Sequence, residues 1–215
     1  MTLTFVIVLV GWLFSLCLHE FSHALVAYIG GDTTVREKGY LTNPLKYINP
    51  VTSILLPLVF LLMGGIGLPG GAVSIETWRL RSPKWISAVS LAGPASNLVL
   101  AVILGIILRF APLTADGIWP GLSFLALLQV TAVLFNLLPI PPFDGYGAIR
   151  PHLPPEIRQN IDFLGQFSMW LVLFAFWQVP AISDKFWTLV GFTSRLLGIP
   201  LELAGIGFSQ FRFWQ

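Results

Sequence analysis

The sequence predicts an all-α integral membrane protein, a polytopic bundle of about four to five transmembrane helices, and three observations carry that prediction. Of the 215 residues, 55% are hydrophobic and only 10% charged, where soluble domains carry roughly 25% charged residues. Three uncharged stretches, Ile86 to Leu108, Ile118 to Leu138 and Phe163 to Ile182, each have about the 20 residues that a helix needs to cross a bilayer. A fourth, Leu3 to Ile29, is long enough but carries His19, Glu20 and His23, ionisable groups that a membrane accommodates around a protected polar cavity.

Taken in order, the first stretch runs from Met1 into Leu3 to Leu18 with no basic segment before it. It continues into the histidines and not into a small-residue cleavage site, so a retained helix is expected and not a removable signal. Gly30-Gly31 supplies its stop. Val51 to Leu68 is shorter, contains Pro57 and breaks up at Gly64-Gly65 and Gly67, so it either spans or re-enters. Arg36, Lys38 and Lys46 precede it and Arg79, Arg81 and Lys84 follow it. If it re-enters, those six share one face with Arg150 and Arg158, and the positive-inside rule places that face in the cytoplasm. Residues 183–215 mix apolar residues with Lys185, Arg195, Arg212, Trp187 and Trp214, the composition of an interfacial amphipathic segment. The expected organisation is one unit: a membrane-embedded domain over 1–182, with 183–215 as its C-terminal amphipathic segment. A multi-pass protein of a bacterial plasma membrane or of an organellar, plastid-type membrane fits this equally.

Composition also narrows the chemistry. A single cysteine, Cys17, excludes an internal disulfide framework and a multi-cysteine metal site. Its place two residues before His19 turns it away from that histidine on a helix. The net charge of +2, dispersed along the chain, argues against nucleic acid as a partner.

His19-Glu20-Phe21-Ser22-His23 sets two imidazoles four residues apart on one helical face, the spacing at which both bind one zinc ion, with Glu20 beside it as general base. A catalytic zinc usually takes a third protein ligand and keeps one position for water. Asp144 is the candidate, because it follows an uncharged span and the run Pro139-Ile140-Pro141-Pro142, which stops the helix and fixes the backbone that delivers the carboxylate. Asn97 and Asn136 are amides inside spans, serving either interhelical hydrogen bonds or substrate orientation. Together with Pro139 and Pro141 they are the candidate substrate-binding residues. His152, in a Pro-rich loop, reads as a solvated histidine.

These motifs resemble the site-2 protease family of intramembrane zinc metalloproteases. His19 to His23 is similar to that family's histidine motif, Asn136 to Gly145 to its second motif ending in Asp-Gly, and Gly93-Pro94-Ala95-Ser96-Asn97 to its Gly-Pro-x-x-Asn element. Gly31-Asp32, Thr42-Asn43-Pro44-Leu45 and Ile48-Asn49-Pro50 resemble the compact members that lack PDZ or CBS domains. Where those often read Trp-Ala-Lys-Pro, this chain reads Leu68-Pro69-Gly70-Gly71-Ala72-Val73. The resemblance implies one zinc per chain and hydrolysis of peptide bonds in or near the transmembrane helices of membrane-protein substrates. It also implies a lipid bilayer as the setting and an upstream protease that trims the substrate. Ala72 to Ile75 is expected to pair with an unwound substrate by edge addition. The competing reading, an inactive metal-binding scaffold or a transporter, is disfavoured by intact His19, Glu20, His23 and Asp144, and by the absence of charge in 86–108 and 163–182.

Overall fold

A computed structural model describes residues 2–46 and 73–212. Among these residues the chain is helical, with no strand. The helices are α1 (Thr2–Gly30), α2 (Thr34–Glu37), α3 (Pro83–Leu108), α4 (Trp119–Asn136), α5 (Asp144–Ile149), α6 (Pro155–Gln178), α7 (Pro180–Leu196) and α8 (Leu201–Phe211). Leu3–Gly30, Pro83–Leu108 and Trp119–Asn136 are long and apolar enough to cross a membrane. Val51 to Leu68, the segment expected to span or re-enter, lies outside the described residues, as does Trp214.

The third predicted span needs correction. Phe163 to Ile182 is not one straight helix: α6 begins earlier, at Pro155, and ends at Gln178, and Phe167–Gln178 meets Pro180–Leu196 at 92°. The break has a local cause, since Pro180 has no N–H to continue the ladder and its ring clashes with the preceding turn.

α1 shows why the bundle assembles. Val8, Trp12, Ser15, Leu16, His19, Glu20, His23, Ala24 and Ala27 are buried, a stripe at helical spacing. The opposite face, with Leu3, Val6, Val10, Phe14, Leu25 and Ile29, is exposed and wholly apolar. The helix therefore turns its polar groups inward and its hydrocarbon outward, the inverse of a soluble helix and the arrangement that lipid requires. α3 presents Leu98, Val99, Val102, Ile103, Ile106 and Ile107 outward in the same way.

Contacts fix the directions. Gly30 meets Trp85, His23 meets Val89 and His19 meets Asn97, so α3 runs antiparallel to α1. Gly11 meets Leu125 and Gly121 meets Ile7, so α4 runs parallel to α1. α8 packs on the start of α4, where a Cβ at Gly207 would lie 2.0 Å from the Pro120 carbonyl oxygen. Leu203, Ala204 and Phe211 of α8 are buried, so this part of 183–215 is packed into the bundle as well as amphipathic.

Candidate metal centre

The sequence brings its site together from three helices. His19 and His23 stand one turn apart on the buried stripe of α1, both 6% exposed, with Glu20 between them at 4%. Asp144 arrives from the far end of α4. That helix stops at Asn136, the chain crosses the prolines, and α5 opens with Asp144 itself. Asp144 and Gly145 thus form the first turn of a short helix. Gly145 permits it, because a Cβ there would sit 2.2 Å from the Leu137 carbonyl oxygen. Only a residue without a side chain lets α5 fold back onto the end of α4.

The result is a compact ring. His19 Nε2 and His23 Nε2 are 3.0 Å apart, and Asp144 Oδ2 and Oδ1 lie 3.2 Å and 3.4 Å from them respectively. Ligands of a tetrahedral zinc with bonds of about 2.0–2.2 Å stand roughly 3.3 Å apart, so the donor spacing fits that ion. The hydrogen bonds agree. His23 Nδ1 is 2.6 Å from the Val89 carbonyl oxygen, which can only accept, so Nδ1 carries the proton and the Nε2 lone pair faces inward. His19 Nδ1 is 2.5 Å from Asn97 Oδ1, with the same consequence. Two lone pairs and a carboxylate pointing at one another repel unless a cation lies between them. Asp144 Oδ2 is buried without a hydrogen bond of acceptable direction, its 3.2 Å approach to His19 Nε2 being a contact in distance only.

Gly93 forms the wall of this ring. A Cβ there would lie 2.4 Å from both Nε2 atoms. Glu20 is held from the other side, where Val73 N–H donates to its Oε2 at 3.1 Å. The segment carrying Val73 is anchored twice more. Asp32, fully buried, accepts from Glu76 N–H at 2.8 Å and from Thr34, and Lys38 donates to the Ser74 carbonyl at 3.0 Å. The hydrogen bonds of Arg79 and Lys38 hold Glu76 below the usual carboxylate range. In the stretch expected to offer an edge for pairing, Val73 N–H and Ser74 C=O are thus already engaged.

The remaining expectations divide. Asn97 and Asn136 are both 4% exposed and line a cavity of about 20 Å³ with His19, Ser15 and Trp12, space on the scale of one water. Asn97 is bonded to His19, while the Asn136 amide N–H donates to its own helix at Ala132 O, 3.0 Å away. Pro139 and Pro141 line a different space, an apolar groove of about 410 Å³ against Leu164, Ser168 and Leu171 of α6. Cys17 borders a separate surface pocket with Phe21 and Leu41. His152 lies 2.9 Å from Ser87 Oγ. Two polar residues of the centre went unremarked in the sequence, Gln129 and Ser15. The signal was present for Gln129, an amide inside an uncharged span, as it was for Asn97.

Comparison with known proteins bears on the chemistry. No family model and no solved structure matches the chain. The "Putative zinc metalloprotease Rip2" of Mycolicibacterium smegmatis is 46% identical over 98% of this chain and 81% of the relative. Its namesake in Mycobacterium tuberculosis strain H37Rv is 45% identical over the same shares. YwhC of Bacillus subtilis, likewise named a zinc metalloprotease, is 33% identical over 82% of each chain. Relatives named for zinc proteolysis match a chain that gathers two imidazoles, a carboxylate and a neighbouring glutamate inside an apolar bundle, and whose motifs are those read from its sequence; it belongs to the site-2 protease family of zinc metalloproteases.

Proposed function

We propose that the chain is an intramembrane endopeptidase that holds one zinc ion through His19, His23 and Asp144 and uses Glu20 as general base. The observation that carries this reading is the convergence of three ligand atoms within 4.8 Å of one another in the core of an apolar bundle. When bound, zinc polarises the scissile carbonyl and lowers the pKa of its water to about 7. Glu20 takes the water proton and returns it to the leaving amine, so no second titrating side chain is needed. Val73 N–H fixes the orientation of that carboxylate. His23 lies seven residues before the end of α1, about 10 Å along the axis at 1.5 Å per residue, so the reaction takes place inside the bilayer near one face.

The substrate is a single-pass membrane helix with a short or pre-trimmed outer domain, cut near its cytoplasmic end. Its carbonyls are hidden in its own hydrogen bonds and must be uncovered by local unwinding. Pro139 and Pro141 border a groove that would admit such a chain, whereas Asn136 faces a space the size of one water and Asn97 acts on His19. The zinc-loaded protein, reconstituted with a transmembrane-helix substrate, should cut it within the membrane. Glu20→Gln should retain zinc and lose about 10²–10⁴-fold in turnover. Cleavage confined to soluble loops, or near-normal turnover by Glu20→Gln, would overturn the reading.

A further inference from the structure

The imidazole of His19 differs from that of His23 in how its proton is placed. His23 Nδ1 faces a backbone carbonyl, whose polarity cannot be reversed. His19 Nδ1 faces the amide of Asn97, whose two ends have nearly the same shape and opposite polarity. An amide free to turn over would present its NH₂ group to Nδ1 and draw the imidazole proton to Nε2, blocking the atom that faces the metal ring.

The structure contains what prevents this. Asn97 Nδ2 donates to Gln129 Oε1 at 2.7 Å, Gln129 Nε2 donates to Ser15 Oγ at 3.2 Å, and Ser15 Oγ donates to the Trp12 carbonyl oxygen at 2.8 Å. Asn97 is 4% exposed, Gln129 0% and Ser15 2%. Only the last acceptor has a polarity fixed by covalent structure. Because the Trp12 carbonyl can only accept, Ser15 must spend its proton there. Its oxygen can then only accept from Gln129, which turns Gln129 Oε1 toward Asn97. That in turn directs Asn97 Oδ1 at His19, so Nδ1 must be the protonated nitrogen. The relay leaves α1, passes through α4 and α3, and returns to α1 one turn further on.

We infer that Gln129 and Ser15 are positioning residues, which act through Asn97 to hold His19 in the tautomer whose Nε2 lone pair is available to a metal ion. This rests on His19 being a ligand, as proposed above. The two claims separate in one set of titrations, with zinc as the probe and a competing chelator as the reference, on full-length protein in detergent. Wild type should bind one zinc, and His19→Ala should bind far more weakly. Equal binding by those two would overturn the ligand assignment itself.

Gln129→Met keeps the volume and removes both polar ends, and should weaken zinc binding by about 10–100-fold, as loss of an outer hydrogen-bond partner does. Gln129→Glu keeps an acceptor facing Asn97, and should stay within about 3-fold of wild type. A residue that merely packs predicts the reverse order, since an apolar Met suits a buried site better than a carboxyl group. Ser15→Ala removes the fixed end of the relay in a small, helix-compatible step, and should lower affinity by about 3–10-fold. It decides the matter if Gln129→Met does not fold. In the metal-free protein, ¹⁵N spectra should show His19 Nδ1 protonated in wild type and Gln129→Glu, and the proton shared with Nε2 in Gln129→Met. Zinc affinity within about 2-fold of wild type in Gln129→Met, or equal losses in Met and Glu, would overturn the inference.

Discussion

At the scale of single residues, the absence of a side chain matters as much as its presence. Gly93 sits inside α3, where alanine would ordinarily be favoured by about 1 kcal/mol. Its missing Cβ is the space into which both Nε2 atoms project, at 2.4 Å. Gly93→Ala should therefore push both imidazoles off their buried hydrogen bonds, lowering zinc affinity by about 10-fold or more and lowering the melting temperature of the metal-free protein as well, despite the gain in helix propensity. Isothermal titration alongside a thermal melt checks both, and unchanged affinity would mean that the imidazoles have more freedom than their packing suggests. Much of this scale was legible in the sequence. The four-residue spacing of His19 and His23 and the prolines before Asp144 pointed to one ring, and the side chains do converge. Gln129 and Ser15 were not read, because an amide and a hydroxyl gain their meaning from what they face across helices. Periodicity along one helix carries no record of that. Asp32 was seen only as part of a motif, and its burial depends on Thr34 and Glu76 converging on it from separate segments.

At the scale of elements, apolar length located α1, α3 and α4 to within a few residues, since a bilayer leaves few ways to satisfy a hydrophobic backbone. It failed at Phe163 to Ile182, where composition is uniform but Pro180 divides the stretch. The lower part of α6 is tethered to the α5 region by polar bonds instead. Asp162 accepts from Tyr146 at 2.6 Å and from Arg150 at 2.9 Å and 2.6 Å. The hydrogen bonds of Arg150, then of Tyr146, hold its carboxyl down at about 2 against an ordinary 3.8. A carboxyl group depressed in the folded state stabilises fully above its ordinary value and loses that contribution as the pH falls from about 4 to about 2. The melting temperature of wild type should thus exceed that of Asp162→Asn modestly near neutral pH, because the pair is exposed, and the two should converge in acid. A gap that persists to about pH 2 would assign the difference to packing.

At the scale of the whole molecule, the end of α1, the segment 73–82, the start of α3 and the α5 region gather at one end of the bundle. Arg81 N–H donates to Gly30 O at 3.0 Å, and Ser87 Oγ donates to Ala148 O at 2.7 Å. Single cysteines replacing Glu37, Arg81 and Glu156 in a Cys17→Ser background should therefore all be labelled from one side of a sealed vesicle, and one replacing Asp116 from the other. Opposite labelling of positions 37 and 81 would refute a shared cytoplasmic face. The direction of each helix was legible only on the condition that 51–68 re-enters, because basic residues are equally abundant on both its flanks. The ring also has a history, set by the order in which its members are made. Roughly 120 residues separate His23 from Asp144, and at about 5–20 residues per second the ribosome needs about 6–25 s to cover them. Throughout that interval a nascent chain carries the histidines and the glutamate without the carboxylate that closes the proposed set. Until α4 is inserted and α5 folds back upon it, the emerging protein can lie among other half-made membrane helices without the means to cut them.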